Sequence, residues 1–225
     1  PFIVFEDADI KQAVKGAIAS KFRNAGQTCV CANRFIVHSK IYQEFSDEFV
    51  AQTKKLIVGN GIDKGVSIGP LISVDAAKSV DDMVKEATNN GAKIVLGGPD
   101  KNLGECFYPP TILMNVTPKM RVFKEEIFGP VAPIIPFDTE EQALELANAT
   151  EAGLASYMYT QNFARIWRFS EQLENGIVGI NEGIISTEVA PFGGIKQSGN
   201  GREGSKYGIE DYIEIKYMCM GGIEC

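Results

Sequence analysis

Cys29 is the residue best placed to do chemistry in this sequence. It stands in Phe22-Arg-Asn-Ala-Gly-Gln-Thr-Cys-Val-Cys31, where a helical apolar pattern stops at Gly26 and a strand pattern begins at Arg34. A nucleophile on such a connection is held by rigid elements yet stays reachable. Its thiolate is the reactive form, and local positive potential and backbone donors set the thiolate fraction. The alternative for any cysteine is a small buried apolar side chain. A base is harder to find. The chain has one His, His38, inside a strand pattern. A Cys–His hydrolase needs that ring folded back within hydrogen-bond reach of the thiol. A carboxylate base with a raised pKa is the other option, and no residue pattern singles one out.

Cys31 follows the nucleophile by two positions. In an extended strand that spacing lies near the bridging limit of about 7 Å, and a turn would close it. A reversible Cys29–Cys31 disulfide that blocks the nucleophile under oxidation is therefore one expectation, and a spectator thiol is the other. Cys106, Cys219 and Cys225 have no partner spacing. No His/Cys cluster has metal-ligand spacing, so no metal is expected. Gly193-Gly194 and Gly199-Asn-Gly201 lack the strand–glycine loop–helix setting of a phosphate cradle.

Such residues need a scaffold, and the chain alternates helix-like and strand-like segments. Asp7 and Asp9 can cap a helix with Ile10, Val14, Ala17, Ile18 and Phe22 on one face. Arg34–His38 reads as a strand, and Ser39 as the cap of a helix carrying Ile41, Phe45, Phe49 and Leu56. Residues 59–71 read as a long loop. Helices are predicted over 75–90, 139–149 and 163–173, and a short one over 203–207. Strands are predicted over 93–96, 111–116, 131–137, 154–160 and 177–180, and a last one over Tyr212–Met218. Strands separated by helices imply an α/β fold, a mainly parallel open sheet with flanking helices.

Composition narrows the function classes. The 225 residues include 22 Lys+Arg against 29 Asp+Glu, a net charge of −7. That balance argues against nucleic acid, which needs a basic face. No apolar run approaches the roughly 20 residues of a membrane-spanning helix. No basic segment followed by an apolar one marks a secretory signal. Five Cys are too few for a disulfide scaffold. The expected compartment is the cytoplasm, or the mitochondrial matrix in a eukaryote. The chain opens on Pro1 in a segment that already reads as structure, so a processed or excised piece is expected.

Five motifs in order carry a family resemblance. They are Pro1-Phe-Ile-Val-Phe-Glu-Asp-Ala-Asp9, Phe22–Cys31, Lys124-Glu-Glu-Ile-Phe-Gly-Pro130, Pro191-Phe-Gly-Gly-Ile-Lys-Gln-Ser-Gly199 and Gly201-Arg-Glu-Gly204. Together they resemble the aldehyde dehydrogenase superfamily, and within it the succinate-semialdehyde dehydrogenases. The resemblance implies a cysteine-bearing catalytic domain over 1–200 and a C-terminal arm with an oligomerisation strand over 201–225. It also implies that the family's N-terminal dinucleotide-binding domain, general-base Glu and oxyanion-binding amide lie outside this chain. Cys29 would attack the aldehyde carbonyl to give a thiohemiacetal, its backbone N–H helping to hold the oxyanion. Hydride would pass to NAD or NADP, and water would hydrolyse the thioester. Glu126 and Phe128 match the pair that touches the nicotinamide ribose and ring. Arg23 and Ser186 match the pair that takes the distal carboxylate of a semialdehyde, a guanidinium being suited to a bidentate hold. A homo-oligomer is implied, and the isolated chain is expected to be inactive as a dehydrogenase and not to bind the cofactor. The other readings are a dehydrogenase of neutral aldehydes, a thiol esterase and a non-enzymatic assembly domain.

Overall fold

The computed structural model describes residues 1–100 and 102–222. Its strands are β1 (Phe2–Val4), β2 (Phe35–His38), β3 (Lys93–Leu96), β4 (Thr111–Met114), β5 (Val131–Phe137), β6 (Ala152–Gly153), β7 (Ala155–Tyr159), β8 (Ile177–Ile180) and β9 (Ile195–Lys196). Its α-helices are α1 (Ile10–Phe22), α2 (Tyr42–Thr53), α3 (Val74–Asn89), α4 (Arg121–Lys124), α5 (Glu140–Asn148) and α6 (Phe163–Gln172). A seven-stranded sheet runs β3-β4-β5-β2-β1-β7-β8, and β6 pairs with β9 apart from it. Neighbours in the large sheet are parallel except β3 with β4. This is the mainly parallel α/β architecture that the alternation implied.

The central strands are buried on both faces, as their unbroken apolar runs require. Phe2 of β1 packs on Phe35 of β2 at 5.1 Å and on Tyr159 of β7 at 5.0 Å between ring centroids. Phe49 of α2 closes on Phe35 at 5.2 Å. Helix starts follow local chemistry: Asp9, Ser73, Thr139 and Asn162 each accept a hydrogen bond from a backbone N–H three residues on.

An ion network fastens the sheet to two helices. Arg165 of α6 donates to Glu6 at 2.8 Å and Asp7 at 2.9 Å, just beyond β1, and to Glu140 of α5 at 3.3 Å. Its guanidinium lies over the Phe5 ring, 4.4 Å from the centroid.

Three expectations fail. Ser39 caps no α-helix: residues 39–41 form a 3-10 turn, and the His38 ring accepts the Lys40 N–H instead. Residues 203–207 form no helix, and a 3-10 turn occupies Glu210–Tyr212. Tyr212–Met218 is not a strand. Among the described residues it meets no sheet edge, so its backbone has no ladder to join, and Ile215 stays 96% exposed. Cys225 lies outside the described residues.

The network gives acid stability a sign. Hydrogen bonds from Arg168 hold the Glu140 carboxyl below its ordinary 4.5 against the opposing effect of burial, and Arg165 adds to this. Burial pushes Glu6 up, but Arg165 pulls it further down, also below 4.5. A depressed carboxylate contributes stability that is present above 4.5 and lost as pH falls through the lower folded value. The melting temperature is therefore expected to fall more steeply below about pH 4.5 in the native protein than in Arg165→Met. Parallel pH–melting curves would remove the network from the account.

Candidate active site

The nucleophile's segment is a chain reversal built where α1 ends. Arg23 caps α1, and Asn24 (φ 52°), Ala25 (φ 55°) and Gly26 (φ 78°) then hold left-handed backbone. At Gly26 the reversal touches a second loop: an added Cβ would overlap the carbonyl of Gly129. Glycine is needed there for both its φ and the close approach. The chain next makes a turn over Thr28–Cys31, closed by Cys31 N–H donating to the Thr28 carbonyl at 3.1 Å. Cys29 sits on this turn with its side chain exposed.

Long-range bonds hold the turn still. The Tyr157 hydroxyl donates to the Val30 carbonyl at 2.5 Å. Burial pushes the Tyr157 pKa up to about 12, so it stays a donor. Ser20 Oγ accepts from Ala32 N–H at 3.2 Å. Gln27 Oε1 accepts from Ile72 N–H at 2.8 Å, and its Nε2 donates to the Asn24 carbonyl at 3.1 Å.

A cavity of about 820 Å³ opens on one side of the turn. Its wall includes Cys29, Cys31, Lys21, Asn33, Glu126 and Phe128, with residues that lead into β1, β2, β5 and β7. It therefore lies at the amino ends of the parallel strands. Dinucleotide-binding sheets use the carboxyl ends. Glu126 and Phe128 are both exposed in the loop before β5, and Phe128 holds φ 49°. An apolar ring kept in left-handed backbone and 45% exposed is set to stack on a flat partner. A carboxylate beside it can accept from a sugar diol. These residues fit a nicotinamide ribose on the cavity side of Cys29. Cys31 has a different environment. Its thiol donates to the Lys21 carbonyl at 3.3 Å. Burial pushes its pKa up more than the Lys21 ammonium draws it down, so it stays protonated at neutral pH.

A narrow cleft lies on the other side of the turn, lined by Arg23, Ser186, Ser20, Thr28, Val30 and Tyr157 among others. Arg23 and Ser186 are 163 positions apart, and a backbone contact joins them. A Cβ at Gly183 would overlap the Gly16 backbone of α1. Asn181 fixes the start of the loop: its Oδ1 accepts from Thr160 N–H at 3.1 Å and its Nδ2 donates to the Thr160 carbonyl at 3.0 Å. Among the described residues, the Arg23 guanidinium pairs with no carboxylate. Thr28 lines both spaces, so the cysteine turn is the wall between them.

An exposed thiol on a turn that borders two clefts, one offering Glu126 and Phe128 and the other Arg23 and Ser186, agrees with the sequence match. The model of the aldehyde dehydrogenase family matches residues 1–218. The chain belongs to the aldehyde dehydrogenase family. It is 56% identical over 223 residues to a mitochondrial succinate-semialdehyde dehydrogenase of Oryza sativa subsp. japonica, covering 99% of this chain and 42% of the relative. It is 55% identical over 223 residues to a glutarate-semialdehyde dehydrogenase of Pseudomonas aeruginosa, covering 99% and 46%. It superposes with TM-score 0.89 at 36% identity on a betaine aldehyde dehydrogenase from Staphylococcus aureus solved with NAD+, covering 94% and 43%. The chain thus spans less than half the length of these relatives.

In this aldehyde dehydrogenase chain, Cys29, Cys31, Glu126 and Phe128 meet around one cavity, and Arg23 and Ser186 around the other. His38 does not join them. It stands at the carboxyl end of β2, with Glu6 3.8 Å from its Nε2, whereas Cys29 precedes the amino end. Tyr157, Gln27 and the Gly26–Gly129 contact are the supports that sequence reasoning missed. Gln27 and the two glycines lay inside two motifs already singled out, whereas Tyr157 lay in none.

Two outcomes follow at this turn. Iodoacetamide at neutral pH should label Cys29 well before Cys31, as read by peptide mass spectrometry; equal rates would contradict the burial difference. Gly26→Ala should cost about 2 kcal/mol or more in unfolding free energy and slow Cys29 labelling. Unchanged stability would mean that the Gly129 backbone yields.

Proposed function

We propose that this chain forms the thiol-bearing part of an NAD(P)-dependent semialdehyde dehydrogenase that oxidises succinate semialdehyde to succinate. One observation supports the reading: the Arg23 guanidinium, which pairs with no carboxylate among the described residues, lines one cleft with Ser186, and Glu126 and Phe128 line the other, the Thr28–Cys31 turn bordering both. The aldehyde's distal carboxylate is held by Arg23 and Ser186, which aims its carbonyl at Cys29. The Cys29 thiolate attacks the carbonyl carbon, and the Cys29 N–H donates to the oxygen as charge develops. Glu126 accepts from the ribose hydroxyls, and Phe128 packs on the nicotinamide. When bound, NAD(P) supplies the hydride acceptor. Water then hydrolyses the Cys29 thioester, releasing succinate and the thiol.

Three further elements belong to the same reading. The Thr28–Cys31 turn supports a Cys29–Cys31 disulfide under oxidation; both thiols staying alkylatable after mild peroxide would end that idea. The exposed apolar side chains of Ile213, Ile215 and Tyr217 support an arm that becomes a strand on a second copy. The enzyme works in the cytoplasm or the mitochondrial matrix, and no described helix is long and apolar enough to cross a membrane.

The test is kcat/KM of the full-length protein for succinate semialdehyde against butanal, with NAD and with NADP. Butanal keeps the reacting end and lacks the carboxylate. The native enzyme should prefer the semialdehyde strongly. Arg23→Ala should remove about 30-fold or more of that preference, and Ser186→Ala less, with butanal turnover retained. A native ratio near unity would sink the semialdehyde reading and favour neutral aldehydes.

A further inference from the structure

We propose that Asn33 is a positioning residue for the cofactor side of the site: its carboxamide fixes Glu126 and so sets affinity for the nicotinamide dinucleotide. This rests on the reading of Glu126 given above. Asn33 Nδ2 donates to the Glu125 carbonyl at 2.8 Å, and Asn33 Oδ1 accepts from Ile127 N–H at 3.0 Å. The two bonds grip the backbone immediately before and after Glu126. A flipped amide would set an NH2 against an N–H and an oxygen against a carbonyl, so the orientation is fixed by chemistry.

The loop needs such a grip. Residues 125–128 belong to no helix or strand, and Phe128 holds φ 49°. A left-handed non-glycine residue costs about 1–2 kcal/mol. The Glu126 side chain makes no hydrogen bond among the described residues; the Lys21 ammonium acts on its carboxylate through space, and its backbone sets where the side chain starts. Other tethers act elsewhere. The Glu125 carboxylate is held by Arg121, at 2.8 Å for each of two bonds, and Ile127 is buried at 3% exposure. Neither sets the peptide planes on the two sides of Glu126; the Asn33 carboxamide sets both.

Asn33 also lies four positions after Cys29, on the segment that runs from the cysteine turn into β2. Its neighbour Ala32 is tied to Ser20 of α1. The clamp therefore joins the nucleophile's segment to the loop that presents Glu126. Parallel pairing of β2 with β5 brings the two segments side by side, and the carboxamide bridges them ahead of the first ladder bonds. Asn33 touches no reacting atom in this scheme; it acts through Glu126.

The experiment compares full-length native protein with Asn33→Ala and Asn33→Asp. The first removes both bonds. The second keeps size and the acceptor for Ile127 N–H, but turns an oxygen toward the Glu125 carbonyl. Three quantities are read: hydrogen exchange at the Ile127 amide without cofactor, NAD(P) affinity by calorimetry, and the rate of Cys29 alkylation. Asn33→Ala should speed Ile127 exchange about tenfold, and both variants should weaken NAD(P) binding about tenfold. KM for the dinucleotide should rise accordingly, while KM for the aldehyde and Cys29 alkylation stay unchanged. Faster exchange with unchanged affinity would make the clamp merely structural and overturn the proposal. Loss of Cys29 reactivity in step with affinity would also overturn it, as general damage to the site. If Asn33→Ala fails to fold, the affinity and alkylation of Asn33→Asp decide. Native protein that binds neither NAD nor NADP would sink the dehydrogenase reading, whereas exchange at Ile127 would still report separately on the clamp.

Discussion

Two backbones meet without side chains between them where Gly26 faces Gly129. Much of the site depends on that approach. α1 must end in left-handed residues for its chain to turn back, and the loop before β5 must run beneath the turn. The reversal is costly, because Asn24 and Ala25 carry side chains at positive φ. Burial of Phe22 and Ala25 and the bonds of Gln27 and Tyr157 offset the cost. The outcome is an exposed thiol on a segment with little freedom. That combination suits a nucleophile, since attack gains most when geometry is settled beforehand.

The sheet contributes by direction. With β1, β2, β5 and β7 all parallel, the segments that lead into them gather at one edge. Residues far apart in sequence thereby share a wall, to which the end of α1 adds Lys21. The cysteine turn stands at that edge and divides it in two. On one side the exposed groups are a carboxylate and an aromatic ring. On the other they are a guanidinium and a hydroxyl. The thiol opens on the first of these spaces, and Thr28 beside it reaches the second.

The fold was largely legible in the sequence, because its signals are local. Asp9, Thr139 and the stop at Gly91 act within a few residues of the elements they bound. The apolar run of β5 reflects burial on both faces, whereas the similar run Ile94–Gly98, which reads the same way in sequence, opens on β3, an exposed edge strand. What escaped was non-local. The β6–β9 pair is two short segments 43 positions apart. The arm at 212–218 alternates like a strand yet has no edge to join within its own chain. The site divides the same way. Cys29 was visible because a helix pattern stops beside it. The meeting of Arg23 with Ser186 was implied only by family resemblance, because a contact between Gly16 and Gly183 creates it. Tyr157 and Asn33 gave no signal, since an ordinary strand tyrosine and a loop asparagine reveal nothing of a bond to a carbonyl about a hundred residues away.

The contact between Gly16 and Gly183 has a consequence for how such a cleft can change. Gly16 in turn has the Tyr159 hydroxyl where a side chain would stand, so Tyr159, Gly16 and Gly183 stack closely. The floor of the Arg23 cleft is thus a backbone seam, and a larger residue at Gly183 would push α1 and the loop apart. Variation must come from the side chains that stand above the seam, at Ile184, Ile185 and Ser186 and at the cap of α1. Lengthening or shortening those groups alters the depth of the cleft while the scaffold stays put. A lineage that keeps this seam can therefore reshape the cleft by a few side-chain substitutions, without rebuilding the turn that carries Cys29.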